Sequence, residues 1–186
     1  MGSSAATTTT PLPARSRGPV DVPAIMDIEA SGFGRNSYPI EVGYVLADGS
    51  SFCTLIQPLP HWTHWDPAAE RVHRIGRDVL QLHGRGVVEV ADLLNKQLRG
   101  CTLFSDGWAH DYAWLGALFE EAGRQPSFRL DSLRKLLSES DTMAWDAVKQ
   151  QVGEEMSLPR HRASTDARLL QQTWLRLNTA VTATPD

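Results

Sequence analysis

The chain is poor in cysteine, with two residues, Cys53 and Cys101, at no metal-ligand or redox spacing. That excludes a disulfide framework and leaves both as small core residues of a protein in a reducing compartment, which reads as cytoplasmic. No apolar run approaches the ~20 residues that a membrane span needs. Positive charge is not in excess either: the net charge is −4 and the pI about 5.8. Proteins that coat duplexes regardless of sequence are usually basic, so that class is excluded. An acidic chain that offsets clustered carboxylates with bound cations is not. The first 20 residues, MGSSAATTTTPLPARSRGPV, lack the apolar stretch of a secretory signal. They read as a disordered leader rich in Ser, Thr, Ala and Pro or, having arginines and no acid, as a transit peptide. There is no internal repeat. At 41% apolar, the chain fills one sizeable core and is too short for two ordinary domains. The expected division is a leader at 1–20, one domain at 21–178 and a flexible tail at 179–186.

What is present is a strand–helix pattern. VPAIMDIEA is a short apolar run, expected as a buried strand, and SGFGRNSY after it carries turn signals. PIEVGYVLADG and SFCTLIQP form a hairpin around Ala47-Asp48-Gly49-Ser50. The segment from His61 to Gly86 reads as a partly exposed loop with a short helix at 68–74. Its His61, Trp62, His64 and Trp65 are candidates for a partner or strand-binding surface, whereas tryptophans in general favour the core. Apolar spacing predicts a helix at 87–98, ended by Gly100. A strand at CTLFSD follows, then a helix at 110–122, a short strand with a helix from Asp131, and helices at 142–152 and 163–177. This order is α/β with a mixed sheet and fits a ribonuclease H-like core.

Five chemistry-bearing side chains are spread along that pattern. Asp27 and Glu29 stand two apart on one strand and point into the same space. Like charges that close repel unless a cation lies between them, and hard oxygen ligands suit Mg²⁺ or Mn²⁺. Asp111 opens a helix just after a strand, with Asp106 at the strand end as a rival for the same role. His161 precedes the last helix and Asp166 lies within it; a histidine there can take a proton from a bound water. Each has an ordinary structural reading when taken singly. Asp27 can cap a turn, Glu29 and His161 can face solvent, and Asp111 can complement a helix dipole. Arg160 and Arg162 flank His161 and are either phosphate contacts or solvated.

In that order and at those separations, IMDIEASGFG, SDGWAHDYAWL and HRASTDARLL resemble the three exonuclease motifs of the DEDDh 3′–5′ exonucleases. That group includes ribonuclease T, oligoribonuclease and the proofreading subunit of bacterial DNA polymerase III. The resemblance spans residues 21–177. It implies a ribonuclease H-like mixed five-stranded sheet flanked by helices. It also implies Asp27, Glu29, Asp111 and Asp166 as ligands of two divalent metal ions (Mg²⁺ or Mn²⁺) and His161 as general base. The implied activity is hydrolysis of single-stranded DNA or RNA from 3′ ends to nucleoside 5′-monophosphates. Phe33 stands where the family wedges an apolar residue against terminal bases, with Ser31 and Gly32 beside it, and VHRIG, containing His73, looks like the family's V/I-H-x-I segment. With Arg160 these form the implied substrate-binding set. Several relatives are homodimers, which makes a homodimer an open reading here.

The chain departs from the family at its second motif, where Asp106-Gly107-Trp108-Ala109-His110-Asp111 replaces the usual His-Asn-Ala-x-Phe-Asp. The missing Asn keeps two alternatives open. One is a catalytically weakened nucleic-acid-binding module with a ribonuclease H-like fold. The other is a hydrolase of the same fold that cuts internally. DNA and RNA are not distinguished.

Overall fold

The first strand, β1 (Ala24–Ala30), alternates two kinds of environment. Met26, Ile28 and Ala30 are buried in the larger of two apolar clusters, while Ile25 belongs to the smaller one. Because side chains alternate across a strand, Asp27 and Glu29 share the face of Ile25. The coordinates are a computed structural model that describes residues 21–157 and 161–180. The leader expected at 1–20, Arg160 and the tail from 181 lie outside the described residues.

Five strands form one sheet in the order β3-β2-β1-β4-β5. The others are β2 (Pro39–Val45), β3 (Ser51–Leu55), β4 (Thr102–Ser105) and β5 (Arg129–Ser132). The β1-β2 and β2-β3 pairs are antiparallel, and β1-β4 and β4-β5 are parallel. The architecture is α/β with a mixed five-stranded sheet, as the sequence predicts. The expected hairpin joins β2 to β3: Asp48 Oδ1 accepts from the Ser50 amide at 2.9 Å, and Gly49 takes the φ of +83° that the turn requires.

Among the described residues six helices flank the sheet: α1 (Pro67–His73), α2 (Arg77–His83), α3 (Val87–Gln97), α4 (Trp108–Glu121), α5 (Glu139–Met156) and α6 (Ala163–Ala180). Val90 and Leu94 of α3 and Leu115 and Leu118 of α4 join the larger cluster. Trp145 of α5 and Leu170 and Trp174 of α6 join Ile25 and Val45 in the smaller. The acid-bearing face of β1 therefore looks toward α6.

Four local expectations change. Helix α2 replaces part of the expected loop; Gly76 and Gly84 bound it, and Val79 and Leu82 remain exposed, so it shows no complete apolar stripe. No helix starts at Asp131, which pairs with Phe104 inside β5 and is followed by a 3₁₀ turn at Leu133–Leu136. Helix α5 begins before 142 because Ser138 and Asp141 form a capping box. The two tryptophans of the 61–65 segment do not stand free as a binding surface, although His61 and Thr63 are exposed. Trp62 is buried and stacks on Tyr38 at 5.0 Å, Trp65 donates to Glu70 at 2.7 Å, and His61 pairs with Glu121. Helix α6 extends to Ala180. Among the described residues no helix is long and apolar enough to cross a membrane.

Candidate active site

Asp27, Glu29, Asp111, His161 and Asp166 all line one pocket of about 380 Å³. They arrive from three elements and one loop. β1 supplies Asp27 and Glu29, the first turn of α4 supplies Asp111, and α6 with the loop before it supplies Asp166 and His161. Candidate ligand atoms of Glu29, His161 and Asp166 lie within 4.8 Å of one another.

The approach of α6 to the sheet is built by two β2 residues. At Gly43, opposite Asp27 in the ladder, an added Cβ would fall 2.2 Å from the Ser164 amide nitrogen. Only glycine admits the helix start at that distance. Glu41, opposite Glu29, is fully buried. Its Oε1 accepts from Arg162 Nη2 at 2.6 Å and from Cys53 Sγ at 3.1 Å, and its Oε2 accepts from the Ala163 amide at 2.9 Å. This clamp closes on the residues directly after His161, whose φ is +63°, an uncommon conformation for a side chain that size.

Three of the acids are held above their ordinary carboxylate range. Burial, then the charges of Asp111 and Glu29, push the Asp27 carboxyl well above the usual range. Burial and then Asp166 push Glu29 up to about 7. Burial also raises Asp111 to about 7, against the Ser105 hydroxyl that donates to it. Carboxylates that resist sharing one space, made of hard oxygen donors with an imidazole beside them, are chemically suited to divalent cations. Asp111 is buried among this group, whereas Asp106 sits at the rim, 2.7 Å from Lys149 Nζ.

An aromatic group also lines the pocket. Phe33 is 69% exposed, yet its ring lies 5.2 Å from His110 and 5.9 Å from Trp114, which stack on each other at 5.6 Å. Gly32 places Phe33 there: its φ is +139°, and a Cβ would lie 2.6 Å from Asp66 Cβ. Gly32, Phe33 and His73 line the pocket. Ser31 does not; its buried Oγ accepts from the Tyr38 amide at 3.1 Å and contacts His64. The lining residues His110, Trp114 and Lys149 were not singled out from the sequence as site residues. The four-residue spacing of His110 and Trp114 on one helix was the available signal.

No family profile and no curated protein sequence matches the chain. Solved structures match its fold. One is E. coli exonuclease I in complex with a dA16 oligonucleotide, with a TM-score of 0.62 and 10% identity over 83% of this chain and 40% of that one. A full-length 3′-exonuclease gives 0.60 and 15% identity over 87% of this chain and 83% of that one. A 3′-exonuclease described with a histone mRNA stem-loop gives 0.60 and 15% identity, covering 88% and 84%. This chain spans about two fifths of the length of that exonuclease I chain. The fold is the ribonuclease H-like α/β fold of these exonucleases.

Proposed function

We propose that the chain is a metal-dependent 3′–5′ exonuclease of the cytoplasm, shortening single-stranded DNA or RNA to nucleoside 5′-monophosphates. One observation carries this reading: four acids from three separate segments of the chain line one pocket together with His161 and the aromatic group of Phe33, His110 and Trp114. Asp27, Glu29, Asp111 and Asp166 would hold two Mg²⁺ or Mn²⁺ ions, which when bound lower the pKa of an attacking water and stabilise the leaving oxygen.

The rest of the work falls to this chain's own groups. His161 accepts the proton of the attacking water. Phe33, backed by His110 and Trp114, stacks on the terminal base without reading its identity. His73 Nδ1 accepts the Ile75 amide at 3.1 Å, which puts the proton of the neutral ring on Nε2. That nitrogen is buried without a hydrogen-bond partner on a pocket-lining residue.

A second reading, a weakened binding module, draws support from Gly107. An added Cβ there would lie 3.3 Å from Asp111 Oδ2, so position 107, where the family uses Asn, adds no side chain to the Ser105 hydroxyl that donates to Asp111. One experiment separates the readings. The purified protein is incubated with 5′-labelled single- and double-stranded DNA and RNA, with and without Mn²⁺, using free and 3′-blocked ends. A ladder shortening from free 3′ ends is expected. Asp27→Asn and His161→Ala should each lower the rate by at least about 100-fold while the protein stays folded. Mn²⁺ binding without cleavage would favour the weakened module, and fragments from blocked substrates would favour an internal cutter.

A further inference from the structure

Lys149 of α5 is the one lysine or arginine among the described residues that line the pocket. Its Nζ lies 2.7 Å from Asp106 Oδ2, and the two side chains are 29% and 34% exposed. The nearby guanidinium of Arg162 is committed to Glu41. Two divalent cations, when bound, would match the four carboxylates in charge. A phosphate entering the pocket then brings a negative charge that Lys149, alone among the described lysines and arginines lining it, is placed to meet.

The pair is also placed to open. Asp106 and Lys149 line a second cavity of about 260 Å³ on their far side, together with Arg134 and Asp146. An ion pair this exposed is weak, and a lysine stem is flexible. The ammonium can leave Asp106 without moving α5, and the Asp106 carboxylate it leaves is already in contact with water.

We propose, building on the exonuclease reading, that Lys149 is a phosphate-binding residue of the site. Asp106 holds it at the rim in the free protein and gives it up to the nucleic-acid backbone. Asp106 is then a positioning residue and not a metal ligand. This assigns a purpose to the acid that stands in the second motif.

The test is binding of a 5′-fluorescein single-stranded oligonucleotide whose terminal linkage is a phosphorothioate, which slows cleavage. Anisotropy is followed in Mg²⁺ across a KCl series. Lys149→Ala should weaken binding about tenfold at the lowest salt. It should also lower the slope of log affinity against log salt by about 0.7, the share of one phosphate contact on a single strand. Lys149→Arg should keep the slope. In turnover on the unmodified oligonucleotide, Lys149→Ala should raise KM about tenfold with kcat changed less than about twofold. Asp106→Asn should bind at least as tightly as the unaltered protein and keep its Mn²⁺ affinity.

An unchanged salt slope in a folded Lys149→Ala protein overturns the inference and leaves the exonuclease reading standing. Lost Mn²⁺ affinity in Asp106→Asn also overturns it, by placing Asp106 among the metal ligands. An unaltered protein that neither binds nor cuts the oligonucleotide removes both.

Discussion

Glu29 and Glu41 face each other across the β1-β2 ladder, on the same side of the sheet. They are the same residue type a few ångströms apart, yet their surroundings differ in kind. Glu41 has no exposed surface, and donors from Arg162, Ala163 and Cys53 fill its two oxygens. Glu29 looks into the pocket, and burial, then the charges of Asp166, Glu41 and Asp111, lift it to about 7 against the pull of Arg162. Countercharge separates a structural acid from a reactive one here. Glu41 has its cation supplied by the chain, and on the proposed reading Glu29 would take one from solution.

The comparison breaks first at Glu41. Glu41→Gln removes the charge that Arg162 meets and an oxygen that accepts the Ala163 amide or its neighbours. Losing one partner of a buried pair costs about 3–5 kcal/mol, and the lower figure applies because Arg162 is itself 46% exposed and can rehydrate. Denaturant unfolding of the metal-free protein should show a loss of about 3 kcal/mol. An effect below the noise of the measurement would mean that the clamp does not hold α6.

The same substitution at Glu29 should have the opposite sign. Glu29 and Asp111 are each raised to about 7 in the folded chain, above ordinary values of 4.5 and 3.8. The folded state therefore binds more protons than the unfolded state between those values. Its stability falls as pH rises through that window and stays low above about 7. His73, whose pKa burial lowers, acts the other way near its ordinary 6.5 and offsets part of the decline. The metal-free protein should melt at a lower temperature at pH 8 than at pH 5. Glu29→Gln should flatten that decline and stabilise the metal-free protein at pH 8 by about 1–3 kcal/mol. Mn²⁺ should raise the melting temperature at pH 8 more than at pH 5, because cation replaces proton. Equal Mn²⁺ shifts at both pH values would contradict the account of Glu29.

The two glutamates also show what sequence could and could not reveal. The spacing of Asp27 and Glu29 on an apolar strand announced a shared acidic face, since strand periodicity is local. The α6 pattern around Ala163 and Asp166 was legible for the same reason. The role of Glu41 was not: its partner Arg162 lies 121 residues away, and in PIEVGYV it reads as one polar residue in a strand that proves buried throughout. Helix α2 escaped because its seven residues leave Val79 and Leu82 exposed. The start of α5 was misread because its cap is a Ser138–Asp141 exchange ahead of the apolar positions. Of the site, the acids and His161 were legible as ordered motifs. The aromatic backing of Phe33 by His110 and Trp114 and the ion pair of Asp106 with Lys149 depend on contacts between separate elements.

The finest division of the comparison lies in the shape of the countercharge, and Arg162→Lys tests it. Arg162 reaches Glu41 Oε1 through both Nε at 3.0 Å and Nη2 at 2.6 Å, while its own amide neighbour, Ala163 N, reaches Oε2. A planar fork fixes the direction of the chain as well as its charge, and an ammonium supplies only the charge. Lysine should keep Glu41 neutralised, so the stability loss should be about 1 kcal/mol, well under that of Glu41→Gln. The loop that carries His161 at its positive φ loses one directional restraint, so kcat should fall a few-fold while Mn²⁺ affinity changes little. A loss of stability equal to that of Glu41→Gln would show that fork geometry, more than charge, holds α6 against the sheet. Unchanged stability and kcat together would show that the Ala163 amide alone is enough to seat the helix.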